Sequence, residues 1–183
     1  MQGRKLKVLG LVAILWAVPW CVGHGQDAKK ATITAFPDSP EGAVKNFMIA
    51  MATGNERELQ ALTLPLPEGD FAWLLKGERL PADKVAEFRK AVAEEMPFRI
   101  AKPGEMFPLS KGRVIEIKPA EFSPDRSVVV HEGAPIPTRV RKIEGRWKVD
   151  AAPMVAGRKA AFAARQRAEE AAAKAKASPK VKP

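Results

Sequence analysis

The stretch SPEGAVKNFMIAMATGN, from Ser39 to Asn55, carries the start and stop signals of one helix. Ser39 is a favourable N-cap, and Pro40 suits the first helical position. Apolar residues recur at the spacing of one helical face, namely Val44, Phe47, Met48 and Met51. Gly54 supplies the stop, because glycine accepts the left-handed backbone conformation that ends many helices. No residue type in the apolar stripe is typical of catalysis, so the stretch predicts a structural helix.

Two further helices are predicted after this one. Asn55 caps the second helix, and Glu58 stands three residues later, as in a capping box. The segment Leu80 to Met96 predicts the third helix, with an apolar stripe made of Val85, Phe88, Ala91 and Val92. Between them, FAWLL (71–75) predicts a short helical turn, for which Asp70 is the expected N-cap.

The pattern changes after Pro97, where short segments rich in β-branched residues are separated by Pro, Gly or Ser-Pro-Asp. They are FRIA, GRVIEIK, DRSVVVHE and PTRVRKIEGRWKVD, and they predict strands. Glu144-Gly145 suits a two-residue hairpin turn, after which Trp147 and Val149 share one face of a strand. Helices followed by antiparallel strands predict an α+β domain, with the helices packed on one face of the sheet.

The N-terminus has the pattern of a secretory signal. Residues 1–25 combine a basic start, an uncharged apolar run and a small-residue exit. We therefore expect residues 1–25 to be a signal peptide, residues 26–37 a linker, residues 38–156 the domain and residues 157–183 a basic, Ala-rich helical or disordered tail. The expected location is periplasmic or secreted, with an uncleaved anchor as the alternative.

Cys21 raises a third possibility, lipid attachment at the end of the signal. Lipoprotein signals have small residues just before the cysteine, whereas Pro19 and Trp20 precede it here. Lipidation at Cys21 is therefore disfavoured. Cleavage after Cys21 leaves a mature chain without cysteine, which excludes a disulfide and a thiolate metal site.

The net charge of +10 lies mostly in the two ends of the chain. Of the 31 basic residues, three lie in residues 1–25 and eight in residues 157–183, which leaves 20 in residues 26–156 beside 19 acidic ones. A nucleic-acid-binding domain normally carries its basic patch on the fold itself, so no nucleic acid is expected as a partner. A solvated, flexible extension is the favoured interpretation of the tail, and binding to an anionic surface, an anionic polymer or an acidic partner is the alternative.

The helix start SPEG, the second helix and the closing strand IEGRWKVDA resemble the nuclear-transport-factor-2-like superfamily, which includes ketosteroid-isomerase-like domains and many small exported bacterial domains. The resemblance covers residues 38–152 and implies a cone-like fold with a concave, sheet-lined pocket. It also implies that homodimers form through the sheet. The pocket candidates under this interpretation are Phe47, Met51, Trp73, Phe88 and His131.

Enzymes of this superfamily use an Asp or His base, often beside a tyrosine, and this chain contains no tyrosine. His131 and Asp70 are the catalytic candidates, although a lone histidine is more often an edge residue. One histidine and no cysteine after the signal do not make a typical zinc site, and no cofactor motif is present, so no metal and no cofactor are expected. On the last hairpin, ordinary cross-strand pairing with Glu116, Glu132 or Glu144 is favoured over an unpaired basic stripe; the cations concerned are Arg139, Arg141, Arg146 and Lys148.

Three functions compete at this point. The first is a non-enzymatic exported domain that binds a small apolar ligand or a protein partner through the pocket or the exposed sheet. The second is a surface-tethering module whose basic tail binds a polyanion. The third is an isomerase- or dehydratase-like enzyme that uses His131 or Asp70.

Overall fold

Helices precede strands in the residues that the computed structural model describes, which are 36–76, 79–109, 112–131 and 136–177. The helices are α1 Pro40–Thr53, α2 Glu56–Leu62, α3 Phe71–Leu75, α4 Ala82–Lys90, continued by the π-helical turn Ala91–Glu95, and α5 Ala152–Ala177. The strands are β1 Arg99–Ile100, β2 Met106–Pro108, β3 Val114–Glu116, β4 Arg126–Val130, β5 Thr138–Ile143 and β6 Arg146–Val149. This order confirms the predicted α+β class. The predicted signal peptide, residues 1–25, lies outside the described residues.

Helix α1 begins and ends as its sequence predicts. The Ser39 side chain accepts a hydrogen bond from the Gly42 backbone N–H at 3.0 Å, which satisfies one donor at the helix start. Gly54 follows the last turn in the left-handed conformation, with φ of 64°. Its N–H donates to the Met51 carbonyl at 3.0 Å, so the chain can leave the helix without an unpaired backbone group.

The next two helix starts differ in detail from the prediction. The Asn55 side chain caps α2 by accepting from the Glu58 N–H at 3.3 Å, but the Asn55 N–H donates to the Ala50 carbonyl at 3.0 Å instead of to Glu58. Asp70 occupies the N-cap position of α3 in a helical conformation and makes no side-chain cap bond. The predicted capping role of Asp70 is therefore wrong, because its carboxylate pairs with the ammonium of Lys159.

Four strands form one antiparallel sheet in the order β1-β4-β5-β6. The hairpin between β5 and β6 turns at Glu144 and Gly145, whose φ angles are 52° and 79°. This confirms the predicted turn. Strands β2 and β3 pair separately as a two-stranded ribbon, and β2 was not among the predicted strands. It is only three residues long and contains a proline, which hides the alternation typical of strands.

The main core lies between the helices and one face of the sheet. Phe47 of α1 packs in one buried cluster with Val129, Val140 and Val149, one residue from each of the three long strands. Trp147 is half-buried against the same cluster, so Trp147 and Val149 share a face as predicted. Helix α1 therefore covers this face of the sheet, as the order of elements predicts.

On the opposite face of the sheet, the described residues place the ribbon over the β4 side. The ribbon packs Phe107 and Ile115 against Val128 and Val130 of β4. These contacts cover the β4 side of the face. The ribbon cluster does not extend over β5 and β6. The prediction of helices on one face did not include this ribbon.

Helix α5 docks at its beginning and is exposed further on. Val155 is buried in the main core, and the Arg158 guanidinium donates to the carbonyls of Trp73 and Leu74 at 2.7 and 3.0 Å. The ring of Phe162 meets Trp73 edge-on, with 5.5 Å between centroids. The start of the predicted tail therefore packs against the domain, while side chains 164–174 are exposed.

Candidate binding surface

Strand register places three cations side by side on the sheet face that the helices do not cover. Arg126 of β4 is paired with Arg141 of β5, and Arg141 is paired with Lys148 of β6. Residues directly opposite one another on antiparallel strands share a face and lie close together. Arg126, Arg141 and Lys148 therefore form one line across three strands, which we call the cationic row.

Along the strands, the cationic row has different neighbours on its two sides. On one side, Val128 is paired with Arg139, and Arg139 forms an ion pair with Glu121 of the turn Pro119–Glu121. On the other side, Ile143 is paired with Arg146 next to the hairpin turn. We call the cationic row together with Ile143 and Arg146 the open face.

The cations of the open face lack carboxylate partners among the described residues. Ion pairs are formed there by Arg139 with Glu121 and by Arg99 with Glu105, but none involves Arg126, Arg141, Arg146 or Lys148. Two of these cations, Arg126 and Arg141, act on the exposed carboxylate of Asp125. The pKa of Asp125 is lowered first by the hydrogen bond that the Ser123 hydroxyl donates, next by a backbone hydrogen bond, and then by the charges of Arg126 and Arg141.

This arrangement is unfavourable for folding in isolation. Directly opposed like charges on neighbouring strands destabilise a sheet, by an amount comparable to the gain of about 0.2–1 kcal/mol from an opposed unlike pair. The cationic row contains two such contacts, Arg126 with Arg141 and Arg141 with Lys148. An anion placed over the row would relieve both. The geometry is therefore suited to binding negative charge.

Sequence reasoning named three of these cations, Arg141, Arg146 and Lys148, but favoured their pairing with carboxylates over an unpaired stripe. Arg139, the fourth cation it named, is paired, and its partner is Glu121. The favoured pairing with Glu116 or Glu144 does not occur among the described contacts, because Glu116 lies on β3 opposite Met106 and Glu144 forms the turn. Glu132 lies outside the described residues. Arg126 was missed, because only the register between β4 and β5 brings it beside Arg141.

The predicted pocket residues lie in two separate clusters. Phe47 and Met51 are buried in the main core, and Trp73 packs against its edge. Phe88 is buried in a second cluster, between α1 and α4, with Ile49 and Val92. The structure therefore brings Phe47, Met51 and Trp73 together in or against one cluster and places Phe88 in the other.

The two catalytic candidates occupy different settings. His131 follows β4, and its ring lies against Phe98 with 4.9 Å between centroids. Asp70 precedes α3 and pairs with Lys159 of α5. Within the described ranges, no group of three or more His, Cys, Asp or Glu side chains is placed to hold a metal ion.

No protein-family model, curated protein or solved structure matches this chain. The resemblance to the nuclear-transport-factor-2-like superfamily therefore stays a prediction from sequence. Within the part of the chain that the structure describes, no helix is both long and apolar enough to cross a membrane.

Proposed function

We propose that this protein is a non-enzymatic binding domain whose binding surface is the open face and whose partner is a polyanion. The observation that supports this proposal is the pairing of Arg141 with Arg126 and Lys148 without an ion-pair partner in the described residues. The row lowers stability in the free protein, and it gains favourable contacts only when negative charge is supplied from outside. Of the two surfaces expected from sequence, the pocket and the exposed sheet, the proposal takes the sheet, and it places there the polyanion binding that the alternative function assigned to the tail.

The pattern of residues 1–25 supports export, so we propose that binding takes place outside the cytoplasm. Helix α1 packed across a four-stranded antiparallel sheet is compatible with the cone-like arrangement of the nuclear-transport-factor-2-like superfamily. An apolar ligand has less support, since Phe47 and Met51 are occupied in core packing. Catalysis by Asp70 also has less support, since its carboxylate is paired with Lys159.

The tail is a competing surface for the same type of partner. Residues 163–183 contain six basic and two acidic side chains. Within its described part, Arg165 forms an ion pair with Glu169, which reduces the charge available for binding. The open face offers three neighbouring cations with no described ion pair, and it is attached to a rigid sheet. We therefore place the primary contact on the open face.

Retention on a heparin column tests the proposed function. Arg141→Glu in the mature protein is expected to elute at clearly lower salt than the wild type, because it removes one cation from the row and introduces an anion. Lys142→Glu is the matched control, because Lys142 is the next residue of β5 and lies on the opposite face of the sheet. A variant truncated after Phe162 measures how much of the heparin retention depends on the tail. Equal elution of the Arg141 and Lys142 variants would refute the proposed surface.

A further inference from the structure

The cationic row is long in one direction and narrow in the other. It runs across β4, β5 and β6, and strands lie about 4.8 Å apart, so its backbone positions span about 10 Å. Along the strands it is a single residue wide at Arg126 and Arg141. Beyond Arg141, the next positions on that face of β5 are Ile143 and the already paired Arg139. The charge is therefore arranged as a line, with Arg146 as one addition at the β6 end.

The ribbon lies beside the β4 end of this line. Phe107 and Ile115 pack onto Val128, which is the β4 residue two positions from Arg126 on the same face. Layers of β-structure pack about 10 Å apart, so the ribbon rises by about that distance next to the row. A flat surface that approaches the β4 end of the row meets the ribbon, whereas a narrow chain can pass beside the ribbon and contact Arg126 as well as Arg141 and Lys148.

We infer that the open face binds a linear phosphate polymer, which lies across the three strands along the cationic row. This inference rests on the proposed function. Arginine contributes two of the three side chains, and its planar guanidinium matches two phosphate oxygens at once. A chain presents its charges in a line, which the row can contact in succession. An anionic membrane presents its charges over an area, which the single-residue width of the row does not match.

The polymer is recognised through its charge rather than through bases. Proteins that hold single-stranded nucleic acid combine a basic groove with aromatic side chains on which bases stack. The open face has no aromatic member, and Trp147, the aromatic residue of β6, lies on the helix-covered face. We therefore expect a phosphate chain without bases to bind as well as a single-stranded oligonucleotide with the same number of charges.

Titration of the full mature chain with inorganic phosphates of increasing length tests the inference. Orthophosphate is expected to bind weakly, tripolyphosphate more tightly, and a chain of several tens of phosphates tightest. The logarithm of the binding constant is expected to fall with the logarithm of salt concentration, with a slope of about −2 for three contacts at about 0.7 each. Arg141→Gln is expected to weaken polyphosphate binding about tenfold, as removal of one charge-assisted contact does. Lys148→Gln provides a second, independent variant, and Lys142→Gln is the control.

The outcomes separate the inference from the proposed function. Salt-sensitive heparin retention that depends on Arg141, together with no polyphosphate binding, would overturn the inference and leave the proposed function standing. Binding to vesicles that contain phosphatidylglycerol at least as tight as binding to long polyphosphate would overturn it in favour of a membrane. Affinity that does not rise with chain length would overturn the linear geometry. Absence of both heparin and polyphosphate binding would refute both proposals.

Discussion

The Arg141→Gln substitution is expected to make the folded protein more stable. Arg141 lies between Arg126 and Lys148, so it takes part in two contacts between like charges. Glutamine keeps a long polar side chain on the strand but removes the charge. The side chain of Arg141 is exposed, so the change creates no cavity in either core cluster. The main effect is therefore the loss of repulsion.

The size of this effect follows from the register of the strands. Two unit charges about 6 Å apart repel by about 0.7 kcal/mol in water, which agrees with the size of measured cross-strand effects. Two such contacts give about 1.4 kcal/mol at low ionic strength. The attraction between Asp125 and Arg141, one of the causes that lower the pKa of Asp125, offsets part of this repulsion. We therefore expect a gain of about 1 kcal/mol, or about 2–4 °C in Tm.

Thermal unfolding followed by circular dichroism measures the gain at low and at high salt. The Debye length falls from about 30 Å at 0.01 M to about 3 Å at 1 M ionic strength, so the advantage of Arg141→Gln is expected to shrink as salt is added. Lys142→Gln lowers the net charge by the same amount on the opposite face, and thus controls for the overall charge of the chain. An Arg141→Gln variant that melts below the wild type at low salt, or matches the Lys142→Gln variant, would refute the reasoning.

Three further predictions follow from single contacts. Leu59→Ala, at a fully buried position, is expected to cost about 2–5 kcal/mol in the free energy of unfolding, measured by urea denaturation; a cost below about 1 kcal/mol would contradict the assigned core. Phe162→Ala removes the edge contact with Trp73 and is expected to cost about 0.5–1.5 kcal/mol for the ring pair, with a change in tryptophan fluorescence; an unchanged spectrum would show that the helix does not dock there. The side-chain hydrogen bonds from Arg99, and then the backbone N–H of Lys102, lower the pKa of Glu105 to about 2 from 4.5. Arg99→Ala should raise this pKa in an NMR titration; because the folded pKa is depressed, the associated stability is present above pH 4.5 and is lost as the pH falls toward 2.

The parts of the fold that sequence predicted correctly depend on short-range signals. Ser39 and Gly54 act on backbone groups of their own helix, and Gly145 acts on its own hairpin. Each such residue satisfies a local requirement, such as an unpaired N–H or a positive φ, and therefore does the same in any tertiary context. The α+β class follows from the order of these local elements.

The parts that sequence missed depend on contacts between distant residues. Asp70 has the chemistry of an N-cap, but Lys159, 89 residues later, is brought beside it by the docking of α5. Phe162 lies in an Ala-rich segment, and the sequence alone does not indicate its contact with the distant Trp73. The cationic row depends in the same way on register, since a shift of one residue would move Arg141 to the other face. The alternation of residues along one strand predicts which of them share a face. It does not predict which residue of the neighbouring strand lies opposite each of them.

The summed charge of the domain does not indicate that the sheet carries a cationic row. Residues 26–156 are nearly neutral in sum, which argued against a basic patch on the fold. The sum hides the distribution, because it does not show which cations share a face. The strand register places Arg126, Arg141 and Lys148 on one face of the sheet, whereas acidic side chains such as Glu87 and Glu94 lie on helical segments. Local potential depends on neighbours within about one Debye length, about 8 Å at physiological salt, rather than on the total. A nearly neutral domain can therefore carry a cationic row on one face of its sheet, while helix α1 packs against the other face and holds the strands in place.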